Sequence, residues 1–401
     1  MKFLVINSGS SSIKYQVIEM ETETVLATGL VERIGDEQGR LKNVFYPGTD
    51  RECESVVEQP IPNHHSGMML VISLLTDRDK GIIRDTSEID AIGHRVVHGG
   101  EDFRGSMRIT PEVIEALKRN IPLAPLHNPA NLDGIRVAME IFAAVPQVAV
   151  FDTAFHQTMP PHAYLYAIPY ELYEKDRVRR YGFHGTSHRF VAGECAKLLG
   201  KPLAECNLIT VHLGNGCSMT AIENGVSVDT SLGMTPLEGL VMGTRSGDVD
   251  PALHLFLKRN KGMDLEAIDA LLNKESGLKG LCGMNDMRDI HKAAESGDKR
   301  AALALAVQTY RNRKYIGAYM AVLDRVDAIV FTAGIGENDD IVRAESLKGL
   351  AHLGIKLDAG KNATRSKQAR CVSSDDSRVK VFIIPTNEEL AIAREVASVV
   401  G

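Results

Sequence analysis

The chain has no cysteine pair at metal or redox spacing, no long apolar run and no surplus of positive charge, and each absence closes off a class of function. Its six cysteines, at 53, 195, 206, 217, 282 and 371, form no C-x-x-C. That argues for reduced, packed thiols rather than a disulfide or zinc framework. Met1-Lys2 is followed by four apolar residues before Asn7, too few for a secretory core, and no later run approaches the roughly 18 residues of a membrane span. A formal net charge of −6, with no Lys/Arg block and no interleaving of basic and aromatic residues, offers no field for nucleic acid. The expectation is a soluble, cytoplasmic protein with no nucleic-acid and no membrane partner. Asn362-Ala-Thr364 matches a glycosylation sequon, which carries no meaning in that setting. Also missing are G-x-x-x-x-G-K-[ST] and G-x-G-x-x-G, so neither a P-loop nor a dinucleotide fingerprint accounts for the glycines that are present.

What the chain does have is enough material for two cores. It runs to 401 residues, 44% hydrophobic and 24% charged, and single cores rarely grow past about 250 to 300 residues. The first organised stretch, Leu4 to Glu19, reads as strand, polar turn, strand, with Gly9 and the serines at 8 and 10 to 12 in the turn and Lys14 near its mouth. Small hydroxyls, amides and a glycine can cradle an anion, although an ordinary serine-rich hairpin has the same pattern. Thr24 to Val31 reads as a third strand and Asn43 to Pro60 as a polar, turn-containing excursion. Ile89 to Ile92 reads as a buried strand running into a glycine-bounded loop with Arg95 and His98. Pro146 to Phe151 is another short buried strand and ends on Asp152.

The opening theme then returns. Leu208 to Ile222 repeats an apolar arm, a small polar glycine turn at Gly214-Asn-Gly216 and an alternating arm, and Asn224-Gly225 is a hairpin signal before a third strand. A three-stranded meander thus occurs twice, about 205 residues apart, as expected of an internal duplication. Between Thr235 and Asp250 the chain is too glycine-rich for a regular element and carries Arg245 on a loop. Ala333 to Asn338 reads as a third glycine turn after the buried strand Ala328 to Thr332. Thr386 and Glu389 have capping-box spacing, so Glu389 is expected to cap the last helix and leave Glu388 free.

Seven motifs now stand in order along nearly the whole chain. They are Asn7-Ser-Gly-Ser-Ser-Ser-x-Lys14, Gly93-His-Arg-Val-Val-His-Gly-Gly100, Tyr181-Gly-Phe-His-Gly-Thr-Ser-His188, His212-Leu-Gly-Asn-Gly216, Gly243-Thr-Arg-Ser-Gly-Asp248, Thr332-Ala-Gly-Ile-Gly-Glu-Asn338 and Thr386-Asn-Glu-Glu389. Together they resemble the acetate and propionate kinase family of the actin-like ATPase superfamily. The resemblance implies an α/β fold of two actin-like (ribonuclease H-like) domains with an active-site cleft between them. The first domain would be 1–152 with the C-terminal helix 388–401, and the second 153–387. It further implies reversible transfer of the ATP γ-phosphoryl group to acetate, giving acetyl phosphate and ADP, with Mg²⁺ or Mn²⁺ and a homodimeric assembly. Alternatives are a propionate or butyrate kinase of the same family, or a nucleotide-gated binding protein on the same fold.

By the same resemblance, Arg95, Asp152, His184 and Arg245 are catalytic, with Arg95, Val97, Leu126, Phe183 and Pro236 around the carboxylic acid. Nucleotide contacts fall to Lys14, His212, Asn215, Gly216, Asp286, Met287, Arg288, Gly334, Ile335, Gly336 and Asn338. Asn7 and Glu388 would serve the metal, with Asp152 a further oxygen donor, and Ser10, Ser12 and His127 would assist. The residue types suit the chemistry. Phosphoryl transfer to an anion needs cations on both reactants, and planar guanidinium forks fit carboxylate and phosphoryl oxygens better than ammonium groups do.

Overall fold

A computed structural model describes residues 1–125 and 127–401; Leu126 lies outside the described residues. The chain folds as two compact units, one of residues 1–154 with 387–401 and the other of residues 155–386.

The first unit is built on an eight-stranded sheet of β1 (Lys2–Gly9), β2 (Ser12–Glu19), β3 (Thr24–Glu32), β4 (Gly39–Phe45), β5 (Cys53–Gln59), β6 (Ala91–Val96), β7 (Met107–Arg108) and β8 (Gln147–Phe151), in the order β5-β4-β3-β2-β1-β6-β8-β7. Strands β1 to β5 form an antiparallel meander, while β6 and β8 add in parallel. The stretch expected as an excursion after Asn43 is in fact half of the β4–β5 hairpin, paired from Gly39↔Gln59 to Phe45↔Cys53. Its outer strand pairs on one side only and sets just Val57 against the core while Glu54, Val56 and Glu58 are exposed, and so the sequence hides it. Gly29 lets the hairpin pack: a Cβ there would overlap the Tyr15 ring, whose hydroxyl donates to Asn43 Oδ1 at 2.6 Å.

In the second unit six strands follow the same plan: β9 (Leu208–Leu213), β10 (Cys217–Glu223), β11 (Val226–Thr230), β12 (Ala328–Thr332), β13 (Arg370–Cys371) and β14 (Lys380–Ile383), in the order β11-β10-β9-β12-β14-β13. The central parallel strands β9 and β12 are buried at every residue, as strands covered on both faces must be. Both sheets have an antiparallel meander whose first strand takes a parallel neighbour on its other side, so the duplicated actin-like plan is present in each unit. Asn224 and Gly225, both at positive φ, make the β10–β11 turn.

Two helices fix the ends of these sheets. The C-terminal helix Glu388–Val400 lays Ile392, Ala393 and Val396 on Phe3, Val5, Val148 and Val150, and Gly93 leaves room for Ile392 and Val396. The helix Gly185–Leu199 stops at Gly200 in the left-handed region, as its sequence predicts. Ala333–Asn338 is a short helix rather than a glycine turn. Asn362 of the sequon is buried, donating to the Asp340 carbonyl and accepting from Arg343, and is therefore structural. All six cysteines are unpaired, and no described helix is long and apolar enough to cross a membrane.

Candidate active site

In the first unit, parallel pairing of β6 with β8 sets Arg95 opposite Val150, two residues short of Asp152. Arg95 therefore lies inside β6 rather than on the loop after it. Its Nε donates to both Asp152 oxygens, at 3.0 and 3.2 Å, and its Nη2 donates to Oδ2 at 2.7 Å. Asp152 is 2% exposed and both its oxygens face the guanidinium. Expected as a catalytic residue and a further oxygen donor to the metal, it is seen here paired with Arg95. The start of the C-terminal helix adds Glu388, whose Oε2 is 3.9 Å from Arg95 Nη2, and Glu389, which pairs with Lys14.

That last pair goes with a correction: Glu389, expected to cap the helix, does not do so and faces Lys14. The N-cap is Asn387, whose side chain accepts from the Leu390 amide at 3.0 Å. Thr386 instead shares a hydrogen bond with Ser187 at 2.9 Å. Capping-box spacing was satisfied by the sequence, but the helix starts one residue later and the nearby Lys14 takes the acid.

Burial raises the Glu388 carboxyl above its ordinary range; Arg95 opposes this, while Asp152 and Glu389 add to it. Three carboxylates against two cations leave an excess of negative charge. Hard oxygens in that setting fit Mg²⁺ or Mn²⁺, with Glu388 in place as a protein donor and Asn7 the donor expected beside it. Among the described residues no three His, Cys, Asp or Glu side chains converge as a full metal cage. A magnesium site completed by phosphate oxygens and water needs no such cage.

Val97, expected beside the acid, is held by a residue that sequence reasoning passed over. Asn131, buried on the helix Asn128–Ile141, accepts from the Val97 amide at 3.0 Å and donates to the Ser8 carbonyl at 2.8 Å. It ties the half-buried Val97 to the serine turn. That turn is a two-residue link, Ser10-Ser11, closed by the Gly9↔Ser12 pair, and Ser10 is exposed. His64 braces it with a 2.7 Å bond between Nε2 and the Gly9 carbonyl. Asn7 lies across from Lys14 in the β1–β2 register, and His127 is half-buried just before the helix Asn128–Ile141.

In the second unit the key group gathers on the turn between β9 and β10. A Cβ placed on Gly216 would lie 3.4 Å from Arg245 Nη1 and 3.5 Å from His184 Nε2, so both heads converge on this glycine. His184 sits at φ 57°, ψ 22°, a left-handed conformation that costs a non-glycine residue roughly 1 kcal/mol or more. Its ring stacks on His212 with centroids 4.2 Å apart. Gly243 is needed because a Cβ there would fall 2.2 Å from Asn215 Oδ1. Arg245 donates to the Pro236 carbonyl at 3.3 Å, burial lowers its pKa, and no carboxylate pairs with it among the described residues. Asp248 closes the same loop, accepting from the Gly239 amide at 2.7 Å and from the Tyr315 hydroxyl at 2.8 Å. Phe183 is buried, and its carbonyl accepts from His156 Nε2 at 3.0 Å.

Beside the turn is a cavity of about 760 Å³ lined by Gly214, Asn215, Asp286, Met287, Arg288, Gly334, Ile335 and Asn338. Seven of the expected nucleotide residues thus share one wall. Asn285, His291, Asp339, Asp340, Ile341 and Arg365 complete it and were not foreseen. Asp286 caps the helix Met287–Glu295 and forks onto Arg288. Gly336 does not reach the cavity: it faces the Phe331 and Val211 backbone in the interior. Gly216 belongs with Arg245, and His212 with His184.

Residues 2–394 match the family model described as the acetokinase family. The chain belongs to the acetokinase family. Acetokinase relatives align over the full length: an acetate kinase of Desulfotalea psychrophila is 62% identical over 100% of both chains. An acetate kinase of Porphyromonas gingivalis has a solved structure that covers 100% of both chains at TM-score 0.95 and 45% identity. A propionate kinase of Francisella tularensis follows at TM-score 0.91 and 42% identity, again over 100% of both chains. The acetokinase fold is therefore the fold of this chain.

Proposed function

We propose that this chain is an acetate kinase, transferring the γ-phosphoryl group of ATP reversibly to acetate by direct in-line displacement. Its two units are read as the two actin-like domains, the first carrying Arg95 and the second Arg245. The observation that carries the reading is Arg245: a half-buried cation beside His184 Nε2, with no carboxylate of its own among the described residues, is a site that requires an anion. Full-length similarity to acetate kinases supplies the substrate class.

Acetate is already ionised at neutral pH, so no general base is needed. Its carboxylate oxygen forms the new bond to phosphorus as the bond to the ADP oxygen breaks. Arg95, aligned by Asp152, pairs with the acid; Arg245 and His184 donate to the equatorial phosphoryl oxygens as charge spreads over them. The nucleoside would occupy the cavity walled by Asp286, Ile335 and Asn338. Mg²⁺, held through Glu388 and Asn7, would neutralise phosphate charge. We infer further a homodimer working in the cytoplasm, where six unpaired thiols remain reduced.

Trapping with hydroxylamine tests this. Acetate, ATP and Mg²⁺ should yield acetyl hydroxamate, and slow ATP hydrolysis without hydroxamate would point to a nucleotide-gated binding protein. Comparison of kcat/KM for acetate, propionate and butyrate decides the acid. Inversion at a chiral γ-phosphorus is expected for direct transfer, and retention would indicate a phospho-enzyme.

A further inference from the structure

His184 and His188 are joined through a single hydroxyl. Ser218 Oγ lies 2.9 Å from His184 Nδ1 and 2.7 Å from His188 Nε2, and His188 Nδ1 is 2.7 Å from Thr210 Oγ1. Ser218, His188 and Thr210 are all fully buried, so at these three groups solvent cannot serve as a substitute partner, while His184 at the other end of the row is half-buried. One serine carries one proton. With both rings neutral, Ser218 must donate to one and accept from the other, and each imidazole has one N–H and one bare nitrogen. The row can therefore be polarised in only two directions.

In the first, Thr210 donates to His188 Nδ1, His188 Nε2–H donates to Ser218, and Ser218 donates to His184 Nδ1. The remaining proton of His184 then stands on Nε2, the atom that shares the Gly216 face with Arg245. In the second, every bond is reversed and His184 Nε2 shows a lone pair to whatever Arg245 binds. Against an anion that is repulsive unless the ring takes a second proton, and the adjacent guanidinium and the stacked His212 ring disfavour a further positive charge.

We propose that Ser218 and His188 are positioning residues that hold His184 as the neutral tautomer with its proton on Nε2, presented to the anion at Arg245. Only the identity of that anion, the phosphoryl group in transfer, rests on the acetate kinase reading. His188 suits the task because burial drives its pKa well below the ordinary histidine value and its edge meets the equally buried His156 ring, so it stays neutral. The left-handed backbone of His184 serves the same end: it turns Nδ1 back to Ser218 while Nε2 reaches the glycine turn.

Histidine ¹⁵N NMR of the full chain reads the tautomer directly, with His184→Gln identifying the His184 signals. The wild type should show a protonated Nε2 and a bare Nδ1 at His184, with His188 in the same form. Ser218→Ala should mix the two forms at His184 and lower kcat about tenfold, part of the hundredfold or more that a positioned donor contributes, with both KM values within about twofold. Ser218→Thr, which keeps the hydroxyl, should restore both tautomer and turnover. A wild-type His184 protonated on Nδ1, or Ser218→Ala with unchanged tautomer and turnover, overturns the proposal. If Ser218→Ala does not fold, the wild-type spectrum still decides. A wild type with the expected tautomer and no acetyl hydroxamate supports the relay while overturning the acetate kinase reading.

Discussion

Removing the Asp152 carboxylate should uncouple Arg95 from the sheet that aims it. Three donations at 2.7 to 3.2 Å hold the guanidinium, and Glu388 stands farther off at 3.9 Å. Truncating one partner of a buried pair costs about 3 to 5 kcal/mol. Arg95 retains some exposure and can swing toward Glu388, so about 2 to 3 kcal/mol is expected for Asp152→Ala. The chemical loss should be larger in proportion: a misaimed donor at a developing charge costs about 10² to 10³ in kcat. Asp152→Asn, which keeps the shape but loses the charge, should fall between. With no tryptophan in the chain, urea unfolding is followed by circular dichroism, and turnover by hydroxamate formation across a magnesium titration. If Asp152 acts by orienting Arg95, the half-saturating Mg²⁺ concentration stays within about twofold of wild type while kcat falls. Wild-type turnover in Asp152→Ala would refute the orienting role outright. Recovery of kcat at high Mg²⁺ would make Asp152 a metal ligand instead.

Arg245→Ala should lower kcat by about 10² to 10³ with the urea midpoint unchanged or raised, since it removes a cation that burial already penalises; near-normal turnover would take Arg245 out of the site. Val97→Ala should improve kcat/KM for propionate relative to acetate by about tenfold, within the 1 to 3 kcal/mol that one methylene carries, and an unchanged ratio would show that Val97 does not face the acid. Burial pushes His94 and His156 down from 6.5 to about 4. Their folded forms refuse a proton that the unfolded chain accepts, so stability is full above about pH 6.5 and falls as pH drops toward 4, on the order of 3 kcal/mol per histidine. A urea midpoint flat between pH 7 and 5 would contradict this, whereas His94→Gln, which can keep the 2.7 Å bond to Gln147, should flatten the slope for the first unit.

Local patterning by itself determined the two meanders, the Asn224-Gly225 turn and the stop at Gly200, because each is written in residues a few positions apart. It also supplied the family resemblance, and with it Arg95, His184, Arg245 and half of the wall around Asp286 and Gly334. Edge strand β5 was lost because its inward face carries little apolar signal: of Cys53, Ser55 and Val57, Val57 is the one that packs on the core. Glu389 was misassigned because a capping box and an ion pair compete for the same acid, and Lys14, 375 residues away in sequence, wins. Only the tertiary structure gave Asp152 to Arg95, since that depends on the parallel register of β6 and β8. Only it put Asn131 between Val97 and Ser8, and Ser218 between two histidines. Those assignments join side chains from separate elements, and a sequence fixes the identity of such partners long before it reveals that they meet.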